Sequence, residues 1–507
     1  MNLAFGLVFA DLYDRAKLAR IDGLFADALK AADAPLHDRL MAARANPGAV
    51  AAKDEGNLLV DLGPHVENFV ATLFGIEAEA QELAKRTHAL APLYAVKRLF
   101  VQRRAAKAAK AEALASYDPA AMDRLLGAGW TELQFAQAVT EWEKDEAANK
   151  DALATALDHA GWALVTEAGR RRHGKGILFR QPAKLDPQNY IPLETIEIDG
   201  VRMQRLPEHD WRHRDGFALT DEGMDLPKAL DQANYCIWCH AQGKDSCSKG
   251  LRDKKTGAFQ KSVFGVNLAG CPLEEKISEM HALKSNGYAL GAFATILVDN
   301  PMVAATGHRI CNDCMKACIY QKQEPVDIPQ AETRILKDVL ALPWGFEIYS
   351  LLTRWNPLNI RRPVPKPDTG RKVLVVGLGP AGYTLAHHLM NDGHSVAAID
   401  GLKIEPLPAS IAGIAADGAR VPFEPVRDSA ALFENLDERV LAGFGGVAEY
   451  GITVRWDKNF LKVVRLLLER RDSFAMYGGV RFGGTITIEE AYAMGFDHVA
   501  LCMGAGR

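Results

Sequence analysis

RKVLVVGLGPAGYTLAHHLMNDGHSVAAID, residues 371–400, carries the reading of the fold. The apolar strand VLVV runs into Gly377-x-Gly379-x-x-Gly382, an amphipathic helix follows, and a second apolar strand ends at Asp400. Strand, glycine turn, helix and strand make a βαβ unit, hence a parallel sheet. The glycines permit a tight turn and a close backbone approach to a pyrophosphate, which would rest on the positive N-terminus of the helix opening at Pro380 and Ala381. Asp400 stands 18 residues after Gly382, where an acid accepts hydrogen bonds from an adenosine ribose. The same physics serves FAD and NAD(P) equally.

Just upstream, WNPLNIRRPVPKPDTG (355–370) places prolines at 357, 363, 365 and 367. This composition favours an extended, semi-rigid linker, and 351–370 is read as the domain boundary. Before it lies the cysteine region, with seven of the eight cysteines between Cys236 and Cys318. They are too few and too clustered for a secreted disulfide scaffold. Thiolates are soft ligands suited to zinc, copper(I) or iron–sulfur clusters, and Cys-x-x-Cys brings two sulfurs to one centre. Seven cysteines exceed one tetrahedral zinc site and nearly fill two four-iron clusters. Cys271-Pro272 echoes the end of ferredoxin-type cysteine runs. Zinc and unmetallated thiols stay open as alternatives. Residues 273–286 and 289–297 read as helices between the cysteine groups, which excludes the β-rich ferredoxin fold. His240, His281 and His308 could ligate, donate to a ligand, or make plain polar contacts. Cys502, in FDHVALCMG, reads as a buried small hydrophobe.

Residues 1–180 read as helix after helix, with apolar residues at three- and four-residue spacing in 66–90 and 122–142 and no chemical motif. The helix around 94–113 carries Lys97, Arg98, Arg103, Arg104, Lys107 and Lys110, read as a solvated basic face with a docking surface for an acidic partner as the alternative. TIEI, Asp199-Gly200 and VRMQR give a hairpin signal. With 507 residues, three or so domains are expected. The balance of 60 basic against 64 acidic side chains gives −4 and no global reason to expect nucleic acid or an anionic membrane as partner. No basic n-region precedes the short apolar start, and 287–298 falls short of the roughly 20 residues that span a bilayer. A soluble, cytoplasmic protein is expected.

The order Cys-x-x-Cys, Cys, Gly-Cys-Pro, helical hairpin, Asn-Pro, Gly-His-Arg-Ile-Cys and Cys-x-x-x-Cys resembles the N-terminal dicluster domain of glutamate synthase small subunits and dihydropyrimidine dehydrogenases. The resemblance implies that Cys236, Cys239, Cys247 and Cys318 hold one [4Fe–4S] cluster and Cys271, Cys311 and Cys314 the other. Its eighth ligand would be Glu332, because Val326-x-Ile328-x-x-Ala331-Glu332 matches the stretch where the family places Gln or Glu. The plain alternative for Glu332 is a first-turn helix glutamate. Two departures stand out: 23 residues separate Cys247 from Cys271, and Cys311 and Cys314 lie closer than the family's usual pair. A simpler partition would group 236, 239, 247 and 271, leaving 311, 314 and 318 with an outside ligand.

Gly-Leu-Gly-Pro-Ala-Gly with the later Gly445-Gly446-x-x-x-Tyr450-Gly451-Ile452 resembles the FAD half-site of the same proteins, and Met503-Gly504-Ala505-Gly506 the strand end that returns to FAD. The resemblance thus implies a multidomain chain: an all-α N-terminal region (1–190), an α-helical dicluster ferredoxin domain (191–350), the linker, and an α/β Rossmann-like FAD-binding half-domain (371–507). It implies an oxidoreductase passing electrons between NAD(P)H-reduced FAD and two clusters, with no catalytic side chain required. No second GxGxxG is found, so the NAD(P)H site is expected outside this chain, which reads as part of a longer polypeptide. The electron acceptor would be a domain or subunit like the glutamate synthase large subunit. Two rivals remain, a non-enzymatic zinc or cluster scaffold and an NAD-dependent oxidoreductase without flavin.

Overall fold

The computed structural model describes residues 1–191, 193–211, 213, 216, 219, 221–306, 311–438, 443–450 and 457–504, without the side chains of 209 and 450. His308, Gly451, Ile452, Ala505 and Gly506 lie outside the described residues. The architecture joins helical and α/β parts.

Four parallel strands form the C-terminal sheet: β3 (Lys372–Val376), β4 (Ser395–Ile399), β5 (Phe474–Tyr477) and β6 (His498–Leu501), in the order β5-β4-β3-β6. The only other strands among the described residues are β1 (Glu194–Ile198) and β2 (Val201–Arg205), a hairpin closed by Asp199 and Gly200, both at positive φ as the Asp-Gly turn requires. In β3 Val373 and Val375 face one core while Leu374 and Val376 face another. Burial on both faces explains why VLVV reads as a continuous apolar run.

The buried apolar residues of the first ninety pack into the same core as the cysteine helices. The helix Ala52–Phe74 crosses Ala289–Asp299 so closely that a Cβ on Gly291 would lie 2.6 Å from the Gly63 carbonyl oxygen. At that crossing Gly291 N–H donates to buried Glu67 Oε2 at 2.9 Å. Glu67 thereby satisfies a donor that the first turn of Ala289–Asp299 leaves open. Burial raises its carboxyl to about 7 despite that bond.

The proline-bearing segment is half packed rather than extended throughout. Trp355, Leu358 and Ile360 are buried, with Trp355 against Phe25 and Phe69, and only 366–372 is continuously exposed. The apolar side chains of Trp355, Leu358 and Ile360 around Pro357 bury more favourably than they solvate.

Residues from Leu93 to Phe179 gather in a separate aromatic core that also takes Leu230. The expected basic face is altered here. Lys97 is buried and bonds Asp231 at 2.6 Å, and the backbone from Lys97 to Ala105 takes a wider helical turn before breaking at 109–110. A desolvated lysine needs a carboxylate partner, which sequence periodicity does not display.

Inside this core His159 Nε2 and His173 Nε2 stand 3.1 Å apart. Burial, His173 and Arg172 push His159 down to about 3, and burial with Arg172 pushes His173 down to about 4. Both imidazoles are therefore neutral when folded at neutral pH, against an ordinary value of 6.5 in the unfolded chain. The unfolded chain binds the extra proton, so stability is full above that value and is lost as pH falls toward 4. Between pH 7 and 5 the His159 contribution amounts to about 2 kcal/mol. His159→Phe is expected to flatten the pH dependence of the urea midpoint over that range, and a slope equal to wild type would refute the assignment.

Among the described residues no helix is long and apolar enough to cross a membrane.

Candidate functional site

The cysteine region is built on helix ends. The helix Leu226–Tyr235, capped by Asp225 on Lys228 N–H, stops at Cys236. Trp238 at φ 52 turns the chain so that Cys239 opens a short 3-10 turn, and Ser246–Lys249 holds Cys247. Cys236, Cys239, Cys247 and Cys318 line one small pocket with Ile277, His281, Val326 and Ile328. The thiols of Cys239, Cys247 and Cys318 are buried. Burial raises all four, Cys236 to about 12 and Cys239 to about 11, with neighbouring thiols and Asp245 adding to it at Cys236, Cys239 and Cys247. Bare, they are neutral thiols; a cationic centre is what would favour the thiolate form. His281 is fully buried at this pocket, neither ring nitrogen has a partner, and burial lowers it to about 4. His240 is instead held by Ser278 Oγ at 2.6 Å.

A second group adjoins the first through the backbone, where Cys271 N–H donates to the Cys247 carbonyl at 2.8 Å. Cys314 has Glu332, Glu275, Cys271 and Cys311 as its titratable neighbours, and Cys271 has Glu275 and Glu332. Glu332 is the fifth residue of the helix Ile328–Leu340 and is buried, so it is no solvated first-turn glutamate. Asn300 Nδ2 donates to its Oε1 at 3.0 Å, and Asn300 also bonds Glu275. Burial raises Glu332 well above the carboxylate range and Glu275 to about 7. The fold thus brings 236, 239, 247 and 318 around one pocket and 271, 311, 314 and 332 into the adjoining group, with Cys318 rather than Cys271 completing the first. Glu275 is the residue sequence reasoning missed; only its place four residues after Cys271 could have flagged it.

Among the described residues no three His, Cys, Asp or Glu side chains stand close enough around one point to hold a single metal ion. The thiols are spread around their pocket, and each thiolate of a [4Fe–4S] cluster binds a different iron. All eight cysteines are free, and a set of buried soft donors in an apolar wall fits such a cluster.

At the carboxyl ends of the strands the glycine turn closes tightly. Gly377 has φ +99, and a Cβ there would lie 2.5 Å from the Cys502 carbonyl oxygen. On Gly382 a Cβ would lie 1.8 Å from the Gly377 carbonyl oxygen. Gly379 is the N-cap of the helix Pro380–Asn391, whose first residues Pro380 and Ala381 are exposed. Gly445 and Gly446, over sixty residues on, abut Gly379, and Gly445 N–H donates to the Leu378 carbonyl at 3.2 Å. Gly504, at φ +64, has open space where a Cβ would stand. Asp400 directly follows β4, yet its Oδ2 accepts from Leu378 N–H and its Oδ1 from Leu402 N–H, both at 3.0 Å. It braces the glycine turn in this structure. Cys502 is half-buried beyond the end of β6, where its carbonyl helps shape the turn, rather than inside a strand. The backbone cradle around Gly379 fits a dinucleotide.

Residues 3–75 match the family model of the RP005 N-terminal alpha-helical domain. The chain is 57% identical over 206 residues to the uncharacterised protein RP006 of Rickettsia prowazekii (strain Madrid E), covering 41% of this chain and 28% of that one. It is 31% identical over 302 residues to the uncharacterised protein RP005 of the same organism, covering 56% of this chain and 99% of that one. To the glutamate synthase [NADPH] small chain of Bacillus subtilis (strain 168) it is 28% identical over 245 residues, covering 47% of this chain and 37% of that one. The chain thus spans under a third of RP006 and little over a third of that glutamate synthase chain.

Proposed function

We propose, from the premise that the chain belongs to the family of the Rickettsia protein RP005, that it is an electron-transfer oxidoreductase related to glutamate synthase small chains. Cys236, Cys239, Cys247 and Cys318 would hold one [4Fe–4S] cluster, and Cys271, Cys311, Cys314 and Glu332 the second. Gly377, Gly379, Pro380, Ala381, Gly382, Gly445, Gly446 and Gly504 would seat FAD, with Asp400 holding the turn in shape; Tyr450 and Gly451 belong to the same proposed set. Bound together, FAD exchanges two electrons as hydride and a cluster one at a time, so the pair converts between them. NAD(P)H, at a site beyond this chain, and an acceptor domain or subunit like the glutamate synthase large subunit would complete the circuit.

The observation that carries this reading is the gathering of seven thiols and one buried carboxylate into two adjoining groups. The resemblance to glutamate synthase small subunits implies the same partition. The chain's own residues then exclude water from the cofactors: Ile277, Val326 and Ile328 wall the first group, and Asn300 orients Glu332 toward the second.

Anaerobic purification with iron, acid-labile sulfide, zinc and flavin analysis tests it. About eight irons and eight sulfides per chain, with FAD in the released supernatant, is the expected result. One or two zincs without labile sulfide would overturn the cluster assignment, and released NAD in place of flavin would overturn the FAD one.

A further inference from the structure

At the amino ends of the sheet strands, the edge opposite the glycine turn, a cavity of about 370 Å³ opens between the N-terminal helix, the 354–368 segment and the starts of β4 and β5. Five cationic side chains line it, Arg15, Arg354, Lys366, Arg470 and Arg471. Its only acids, Asp368 and Asp472, are exposed at the mouth. Arg470 is neutralised by Glu347 at 2.9 Å and Lys366 by Asp392 at 2.9 Å. Arg354 is 6% exposed and spends its guanidinium on the Leu12 carbonyl and on Ser350. Arg471 is 8% exposed, and its Nη1 has no hydrogen-bond partner. Among the described residues neither Arg354 nor Arg471 has a carboxylate within ion-pair distance. Burial, Arg354 and Arg362 together push Arg471 down to about 9.

Glu347 acts on Arg354 from beyond ion-pair distance, but only cations act on Arg471. Desolvating that guanidinium without a counter-charge is costly, and proteins pair buried charges. We propose that this cavity binds a phosphate group, free or carried by a small metabolite up to the size of a mononucleotide, with Arg471 as its principal ligand. Guanidinium forks match phosphate oxygens two by two, which ammonium groups do not. Ser395, Ser473 and His394 line the same space with further donors. The volume lies in the range of small-molecule pockets and exceeds what a bare ion needs. Ligands of open α/β sheets normally sit at the carboxyl edge, so this site is separate from the dinucleotide seat and stands whether or not flavin or clusters are bound.

Calorimetric titration of the whole chain with inorganic phosphate and, separately, with AMP, sodium chloride holding ionic strength constant, tests the site. Wild type should bind one equivalent. AMP alone binding would assign a phosphorylated metabolite, and both binding alike would assign free phosphate. Arg471→Met should weaken binding at least about tenfold, as loss of a charge-assisted bond does. Should that variant fold poorly, Arg15→Ala at the exposed mouth should weaken it by a smaller factor. Absence of saturable heat with both probes, or unchanged affinity in the substituted chain, would overturn the proposal.

Discussion

Arg470→Met will destabilise the chain by about 3–5 kcal/mol, while the double variant Arg470→Met, Glu347→Met will recover part of that loss. Arg470 and Glu347 pair at 2.9 Å with both side chains fully shielded from solvent. Glu347 also accepts from Val426 N–H at 2.8 Å and Tyr13 hydroxyl at 3.2 Å, and Arg470 donates to the Ile411 and Glu424 carbonyls. The Arg470 guanidinium lies over the rings of Phe423 and Phe346 at 4.5 and 5.0 Å. One ion pair thus ties the N-terminal turn, the helix Gly345–Leu352, the loop before the 3-10 turn Ser429–Leu432 and the end of the helix Asn459–Glu469. Removing only the cation strands a carboxylate in a site water cannot reach; removing both removes that charge, at the smaller cost of leaving the Val426 N–H and the Ile411 and Glu424 carbonyls without these partners. Guanidinium chloride unfolding of the two variants measures this. Equal losses in single and double variants would mean that packing, not charge, holds the junction.

That junction was invisible in the sequence, and the reason is physical. Partners 123 residues apart carry no periodicity, and Arg470 stands in RRD, which reads as a solvated helix end. The βαβ unit was legible because each of its determinants is local: β-branched run, glycines where a Cβ would meet backbone, Asp400 at the strand end. The hairpin at Asp199-Gly200 and the helices between the cysteines were legible for the same reason. Grouping the cysteines was not, since two partitions satisfied the spacing equally. Only folding brings Cys318, 71 residues after Cys247, to the first pocket and sets Glu332 beside Cys314. Glu275 and Lys97 escaped for a converse reason, because burial of a charge depends on a distant partner, Asn300 in one case and Asp231 in the other.

Gly382→Ala and Gly379→Ala should separate two jobs that one glycine motif performs. At Gly382 an added Cβ would meet the Gly377 carbonyl oxygen at 1.8 Å, backbone against backbone, so the first turn of Pro380–Asn391 must move off β3. Overpacking of that kind costs about 1–3 kcal/mol, and the displaced helix N-terminus no longer faces a bound pyrophosphate. At Gly379 the nearest atoms to an added Cβ, on Gly445 and Gly446, are 3.8 Å away, an ordinary contact. Gly379→Ala should therefore keep wild-type stability. It should nevertheless lose flavin, because its Cβ would occupy the space through which backbone approaches the pyrophosphate. Iron and sulfide content should be unchanged in both, since the cysteine groups rest on other helices. Thermal unfolding together with flavin-to-iron ratio after gel filtration decides the matter. A Gly379→Ala chain that retains stoichiometric FAD would remove the glycine turn from the flavin seat, leaving the cluster assignment to stand on its own.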